Sequence, residues 1–192
     1  MGLDMYLIRK TYAKNWDHRE KRHKITKRNL GKELKHINPE KINYIEEEVG
    51  YWRKANAIHS WFVKNIQNGV DDCGEYRVEL NDLIKLKKAC NTILSSIEVK
   101  HGVIQNGASM KAGESEMTPN FEVGKMIMNE DICEELLPTQ SGFFFGSTNY
   151  DEWYINDLKD TIQVIENLEK DTWAADSGEK YLKGDVYYLS SW

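Results

Sequence analysis

Residues 39–69, PEKINYIEEEVGYWRKANAIHSWFVKNIQNG, carry the longest periodic pattern in the chain and decide how its fold is read. Ile45, Val49, Trp52, Asn56, His59, Val63 and Ile66 recur at a three-four spacing, which places them along one side of a helix. Tyr44, Tyr51, Ala55, Ile58 and Phe62 form a flanking stripe, so the pattern predicts a central helix touched on more than one side. Pro39 suits a first helical turn, and Gln67-Asn68-Gly69 supplies a left-handed terminator.

Toward the N-terminus, Leu3, Met5 and Leu7 alternate with Asp4 and Tyr6, the pattern of a half-buried strand over residues 2–9. Residues 9–36 then hold eleven Lys or Arg against Asp17, Glu20 and Glu33, a local net charge of +8, although the whole chain carries −5. With few apolar residues to bury, this stretch reads as a basic surface arm with short helical turns.

Toward the C-terminus, Tyr76, Val78 and Leu80 suggest a weak strand. Asn81 is placed to cap a helix with Leu83, Leu86, Cys90, Ile93 and Ile97 on its core face. Residues 98–131 combine Gly102, Gly107, Gly113, Gly124 and Pro119 with two alternating runs, the signature of a protruding hairpin or loop insertion. Phe143-Phe144-Phe145 between two glycines reads as a strand buried on both faces. Thr148-Asn149-Tyr150-Asp151 reads as a capping box opening a helix with Trp153, Ile155, Leu158, Ile162, Ile165 and Leu168 inside. Asp185 to Leu189 reads as a last strand. Together these elements predict a single α+β domain over residues 1–192, with about three substantial helices packed on a small mixed or antiparallel sheet.

The 192 residues suffice for one ordinary domain, and with 40% hydrophobic and 30% charged residues the chain has the composition of a folding one. The net charge of −5 disfavours a wholesale nucleic-acid binder. Cys73, Cys90 and Cys133 are odd in number and lack CxxC spacing, which argues against a disulfide framework or zinc knuckle and for a reducing compartment. Asp4 and the basic residues after the apolar run do not suit a signal peptide, and Tyr6 stands where a myristoylation motif needs Ser or Thr. No stretch approaches the roughly 20 apolar residues of a spanning helix, so no membrane partner is expected.

Two constellations are candidates for chemistry. Trp52, Asn56 and His59 share the predicted helix face beside Arg53 and Lys54. A buried Asn or His must find partners, either in a structural network or in a ligand-lined cavity, because an unpaired buried polar group costs about 1–3 kcal/mol. In the second reading His59 is a candidate general base. The other constellation is Pro138 to Tyr154, where Gln140, Ser141, Ser147, Thr148 and Asn149 offer hydrogen bonds and Tyr150, Trp153 and Tyr154 offer flat surfaces for a base. A strand leaving through Gly146 into a helix at Thr148 would point backbone N–H groups at an anion. His18, His23 and His36 sit in the arm and His101 in the insertion, so no metal site or cofactor is expected. No G-x-S-x-G elbow, phosphate loop or H-E-x-x-H helix occurs.

Met1 to Leu7, Tyr51 to Val63, Glu135 to Thr148, Tyr150 to Tyr154 and the closing Ser190-Ser191-Trp192 together resemble a family of small phage and prophage proteins. The resemblance implies a phage accessory protein made in the cytoplasm of an infected bacterium. Among such proteins, one class binds and hides nucleotide immune signals without cleaving them. The resulting expectation is sequestration of a nucleotide-like small molecule by Trp52, Arg53, Asn56, His59, Gln140, Ser141, Ser147, Thr148, Tyr150, Trp153 and Tyr154. Alternatives are a phosphoester- or glycosidic-bond-cleaving enzyme using His59, or an inhibitor of a host defence nuclease. The partners implied are that small molecule, a host protein or a second copy of the chain, with nucleic acid reaching only the arm.

Overall fold

The computed structural model describes residues 2–16, 18, 24–109, 118–142 and 145–192. In chain order the elements are β1 (Asp4–Tyr12), β2 (Arg28–Asn29), β3 (Lys32–Glu33), β4 (Tyr44–Arg53), α1 (Asn56–Asn65), β5 (Tyr76–Val78), α2 (Leu80–Ser96), β6 (Val99–Ser109) and β7 (Thr118–Ile127). They continue with α3 (Asp131–Leu136), α4 (Glu152–Lys170), β8 (Thr172–Ala174), β9 (Lys180–Leu182) and β10 (Asp185–Ser191). The fold is α+β, with the substantial helices α1, α2 and α4 and antiparallel strand pairing throughout.

The main sheet has the order β4-β1-β10-β5. β1 forms its centre because Met5 and Leu7 face the core while Tyr6 and Ile8 face outward, the alternation read from the sequence. The inner face carries Leu3, Met5, Leu7, Trp52, Val78, Val186 and Tyr188, packed against Ile58 and Phe62 of α1, Leu83, Leu86 and Ile93 of α2, and Ile155, Leu158 and Ile165 of α4. Tyr188 stacks on Phe62 with ring centroids 4.0 Å apart, joining the last strand to α1.

The central helix is shorter than its periodicity predicts. Residues 44–53 form β4, and only 56–65 are helical. The cause is a bulge: Leu7 pairs with Gly50 but Ile8 pairs with Glu48, so Val49 is an extra residue in β4. That insertion breaks the two-residue alternation and gives Ile45, Val49 and Trp52 a helical spacing by accident. Tyr44, Ile45 and Tyr51 are consequently exposed on the strand rather than part of a buried stripe. Lys54, at φ 61°, then turns the chain sharply into α1, a left-handed position filled without glycine.

Other boundaries move for local reasons. Arg9 and Lys10 belong to β1 instead of a basic arm: Arg9 pairs with Glu47 and Asp171, and Lys10 with Glu75. Further on, β2 and β3 make a small hairpin, with Arg28 opposite Glu33. α2 starts at Leu80 with Glu79 in the cap position, two residues before the predicted Asn81 cap. α4 starts at Glu152, with Asp151 as its cap and not Thr148, since the Asp151 side chain accepts the Trp153 N–H at 2.9 Å. Trp153 is 45% exposed, outside the core predicted for it. Phe145 lies buried in a bend, whereas the predicted strand residues Phe143 and Phe144 fall outside the described residues, as do positions 19–23 and 110–117.

The 98–131 segment forms a hairpin, β6 with β7, paired from Val99–Ile127 to Ser109–Thr118. It is fastened to the entrance of α4 at several points. The Ile127 N–H donates to the Tyr150 carbonyl at 3.0 Å, the Lys125 N–H to Glu152 Oε2 at 3.1 Å, and Trp153 Nε1 to the Gln105 carbonyl at 3.1 Å. No described helix is long and apolar enough to cross a membrane.

Candidate functional site

Asn56 and His59 both turn inward from α1, and each finds its partners within the protein. Asn56 Nδ2 donates to the carbonyls of Phe145 at 3.1 Å and Ser147 at 2.7 Å, while its Oδ1 accepts the Gln140 N–H at 3.0 Å. This amide therefore ties the two ends of the 140–147 loop to α1. His59 is fully buried, with Nδ1 2.7 Å from the Tyr188 hydroxyl and Nε2 3.0 Å from Asp71 Oδ2. With its single proton on Nε2, the neutral ring donates to the Asp71 carboxylate and accepts the Tyr188 hydroxyl proton at Nδ1. Trp192 Nε1 donates to the other Asp71 oxygen at 3.1 Å, which extends the network to the last residue. Both ring nitrogens of His59 are thus engaged in holding α1, β10 and the 71–73 turn together.

The remaining sequence candidates disperse. Trp52 is buried under α4, donating from Nε1 to Thr161 Oγ1 at 3.0 Å, so neither face is open for stacking. Arg53 reaches outward toward Asp4. Tyr154 is buried with its hydroxyl on the Leu137 carbonyl at 2.9 Å, and burial pushes that hydroxyl's pKa well up. Ser141 is exposed, and Ser147 Oγ accepts the Asn149 N–H in a tight turn. Trp153 leans on the hairpin.

Thr148 and Tyr150, by contrast, line a groove of about 550 Å³ between the hairpin, α3 and the entrance of α4. Its apolar wall is Val103, Ile104 and Met126 from the hairpin together with Pro138. Its polar residues are Thr139, Asn149, Glu130, Glu134 and Asp151. Gly124 makes room for this wall, because a Cβ there would fall 2.2 Å from Ile104 Cδ1. The segment opposite is braced by Thr139, whose N–H donates to the Tyr150 hydroxyl at 3.3 Å and whose own hydroxyl donates to the Thr148 carbonyl at 3.0 Å.

Asp151 sits at the floor of this groove, only 2% exposed. One carboxyl oxygen caps α4; the other, Oδ2, is buried with no hydrogen-bond partner. Burial raises the pKa of this group above its ordinary value, opposed by the backbone N–H groups of α4. No Lys, Arg or His is among the described residues lining the groove. Sequence reading missed Glu130, Glu134, Asp151 and the hairpin residues as one site because they come from three separate segments. The available signal was the insertion itself, lying next to a cap carboxylate. Among the described residues, no group of three His, Cys, Asp or Glu side chains is placed to hold a metal ion.

Compared with known proteins, the chain matches no family model, no curated protein and no solved structure.

Proposed function

We propose that the protein is a binding protein that captures and sequesters a small molecule, without turnover, in the groove between the β6–β7 hairpin, α3 and the entrance of α4. The observation that carries this reading is the groove itself. Its volume of about 550 Å³ falls within the roughly 300–1,000 Å³ range of small-molecule sites, and an apolar wall faces a few polar groups across it. The resemblance to small phage and prophage proteins supports an accessory role in the cytoplasm of an infected bacterium.

For a nucleotide-type ligand, the lining favours the ring over the phosphate. Tyr150 and Met126 offer apolar contact, whereas Glu130, Glu134 and Asp151 would repel a phosphate. A hydrolytic role for His59 draws little support from a ring bonded at both nitrogens and shut away from solvent.

Recovery of the retained molecule tests the proposal. Protein purified from the cells that make it is heated, and the released small molecules are identified by mass spectrometry. Sequestration predicts one compound, released unaltered, able to rebind, and absent from a Thr148→Trp variant whose groove is filled. A chemically altered compound would indicate catalysis instead, and equal retention by Thr148→Trp would remove the groove from the account.

A further inference from the structure

We infer that the basic segment following β1 is a docking surface for single-stranded nucleic acid, with its cations taking the phosphates and the aromatic rings at its root stacking on the bases. The inference goes beyond the groove and stands independently of it.

Residues 13–36 hold nine Lys or Arg against Asp17, Glu20 and Glu33, a net charge of +6 in a chain whose total is −5. The structure leaves much of that charge uncompensated. Inside β1, Arg9 and Lys10 are each held by carboxylates. Beyond it, among the described residues, Lys27 meets Glu33 at 3.6 Å, whereas Lys24, Arg28, Lys32 and Lys35 are exposed and make no ion pair. Like charges gathered in this way repel one another, and a polyanion relieves the repulsion while releasing its own counter-ions.

The second observation is aromatic. Where β1 and β4 end, Tyr12 opposes Tyr44 with ring centroids 5.2 Å apart, and the two are 41% and 53% exposed. The Ala13 N–H donates to the Asn43 carbonyl at 2.9 Å, which fixes the root of the segment beside this pair. Trp16 follows, 44% exposed, with Lys14 Nζ 4.4 Å from its ring centroid. A phosphate-binding cation and a stacking plate thus lie within one side-chain length of each other. Flat rings left in water beside unpaired cations complement a strand whose bases are unstacked, since in a duplex the base faces already cover one another. An acidic protein surface answers the charge but gives the plates no planar partner.

Fluorescence anisotropy with the full chain tests both halves of the inference. The probes are labelled oligothymidylate and oligouridylate of about twelve nucleotides, an abasic strand of the same length, and polyglutamate. Binding of either oligonucleotide supports the inference, and the tighter of the two names the sugar. Stacking predicts that the better oligonucleotide binds about tenfold or more above the abasic strand, and that Trp16→Ala with Tyr44→Ala erases this difference. Neutralising about four phosphates predicts about a fiftyfold loss of affinity between roughly 50 and 200 mM salt, a logarithmic slope of about −3. Replacing Arg28, Lys32 and Lys35 together by Gln should flatten that slope by about 2. All the substituted side chains are exposed, and unchanged circular dichroism and Tm in both variants confirm that the fold is kept. Absence of binding, equal affinity for the abasic strand, a base preference surviving in the aromatic variant, or a slope unchanged in the Gln variant would overturn the inference. Polyglutamate binding as tightly as the oligonucleotides would overturn it in favour of an acidic protein partner.

Discussion

Asn56 and Ser147 are joined by a 2.7 Å hydrogen bond from side-chain amide to backbone carbonyl, across 91 residues of chain. With the bonds to Phe145 and Gln140, it makes one buried amide the clasp of the 140–147 loop. Asn56→Ala leaves two carbonyls and one N–H without their partner, and each such group costs about 1–3 kcal/mol when buried. Because the loop can relax toward water, the expected loss of stability is about 2–4 kcal/mol, measurable by urea unfolding. A loss below about 0.5 kcal/mol would show that the clasp is not formed.

Trp52 and Thr161 make a second internal link, between β4 and α4, at 3.0 Å. Trp52→Phe and Thr161→Val each remove one side of it. A double-mutant cycle should give a coupling of about 1 kcal/mol, the usual net worth of a buried hydrogen bond. Strict additivity would mean that the indole N–H is satisfied elsewhere.

Asp157, on α4, gives the stability a pH dependence. Burial, with repulsion from Asp160 and Asp151, raises its pKa from 3.8 to about 8. The folded chain therefore keeps a proton that the unfolded chain releases at lower pH, so this group's contribution to stability falls as pH rises from about 4 to about 8. Asp157→Asn should remove that decline and raise stability at pH 8 by about 1–3 kcal/mol, with little change at pH 4. Parallel stability profiles for the two proteins between pH 4 and 8 would contradict the assignment.

Gly124 tests how the groove is built. A larger residue there meets Ile104 Cδ1 at 2.2 Å and Glu152 Oε2 at 3.1 Å, so Gly124→Val displaces the Ile104 side chain within the hairpin and crowds the Glu152 carboxylate that fastens the hairpin to α4. The expected result is faster amide exchange at Lys125 and Ile127, whose N–H groups bond to that helix entrance, with α2 protected as before. Unchanged protection at both positions would show that the hairpin does not depend on this close approach.

How far the chain could be read depended on whether each element obeys its own period. α2 and α4 keep a clean apolar face at Leu83, Leu86, Cys90 and Ile93 and at Ile155, Leu158, Ile165 and Leu168, and both are where the spacing puts them. β1 and β10 follow their alternation in the same way, and the 98–131 segment pairs as a hairpin although Val103, Phe121 and Val123 of its alternating runs are exposed. β4 does not, because the bulge at Val49 disguises a strand as a helix and the pairing with β1 prevails over local propensity. The site suffered more than the fold. Asn56 and His59 were legible as buried polar residues, yet their partners Gln140, Ser147, Asp71 and Tyr188 are set by tertiary contacts that no local pattern encodes. The groove likewise depends on a hairpin folding back onto a helix entrance, a relationship invisible in any single segment.

Methyl signals on α1 and on the hairpin report most directly where a ligand binds. In protein labelled at isoleucine and methionine methyls, the Ile104 and Met126 signals should move and saturate together when the molecule recovered from the purified protein is added back. The Ile58 signal, buried beside His59 on α1, should stay where it is. Shifts centred on Ile58 with Ile104 and Met126 unmoved would place binding at the Asn56–His59 network and contradict the groove as the site.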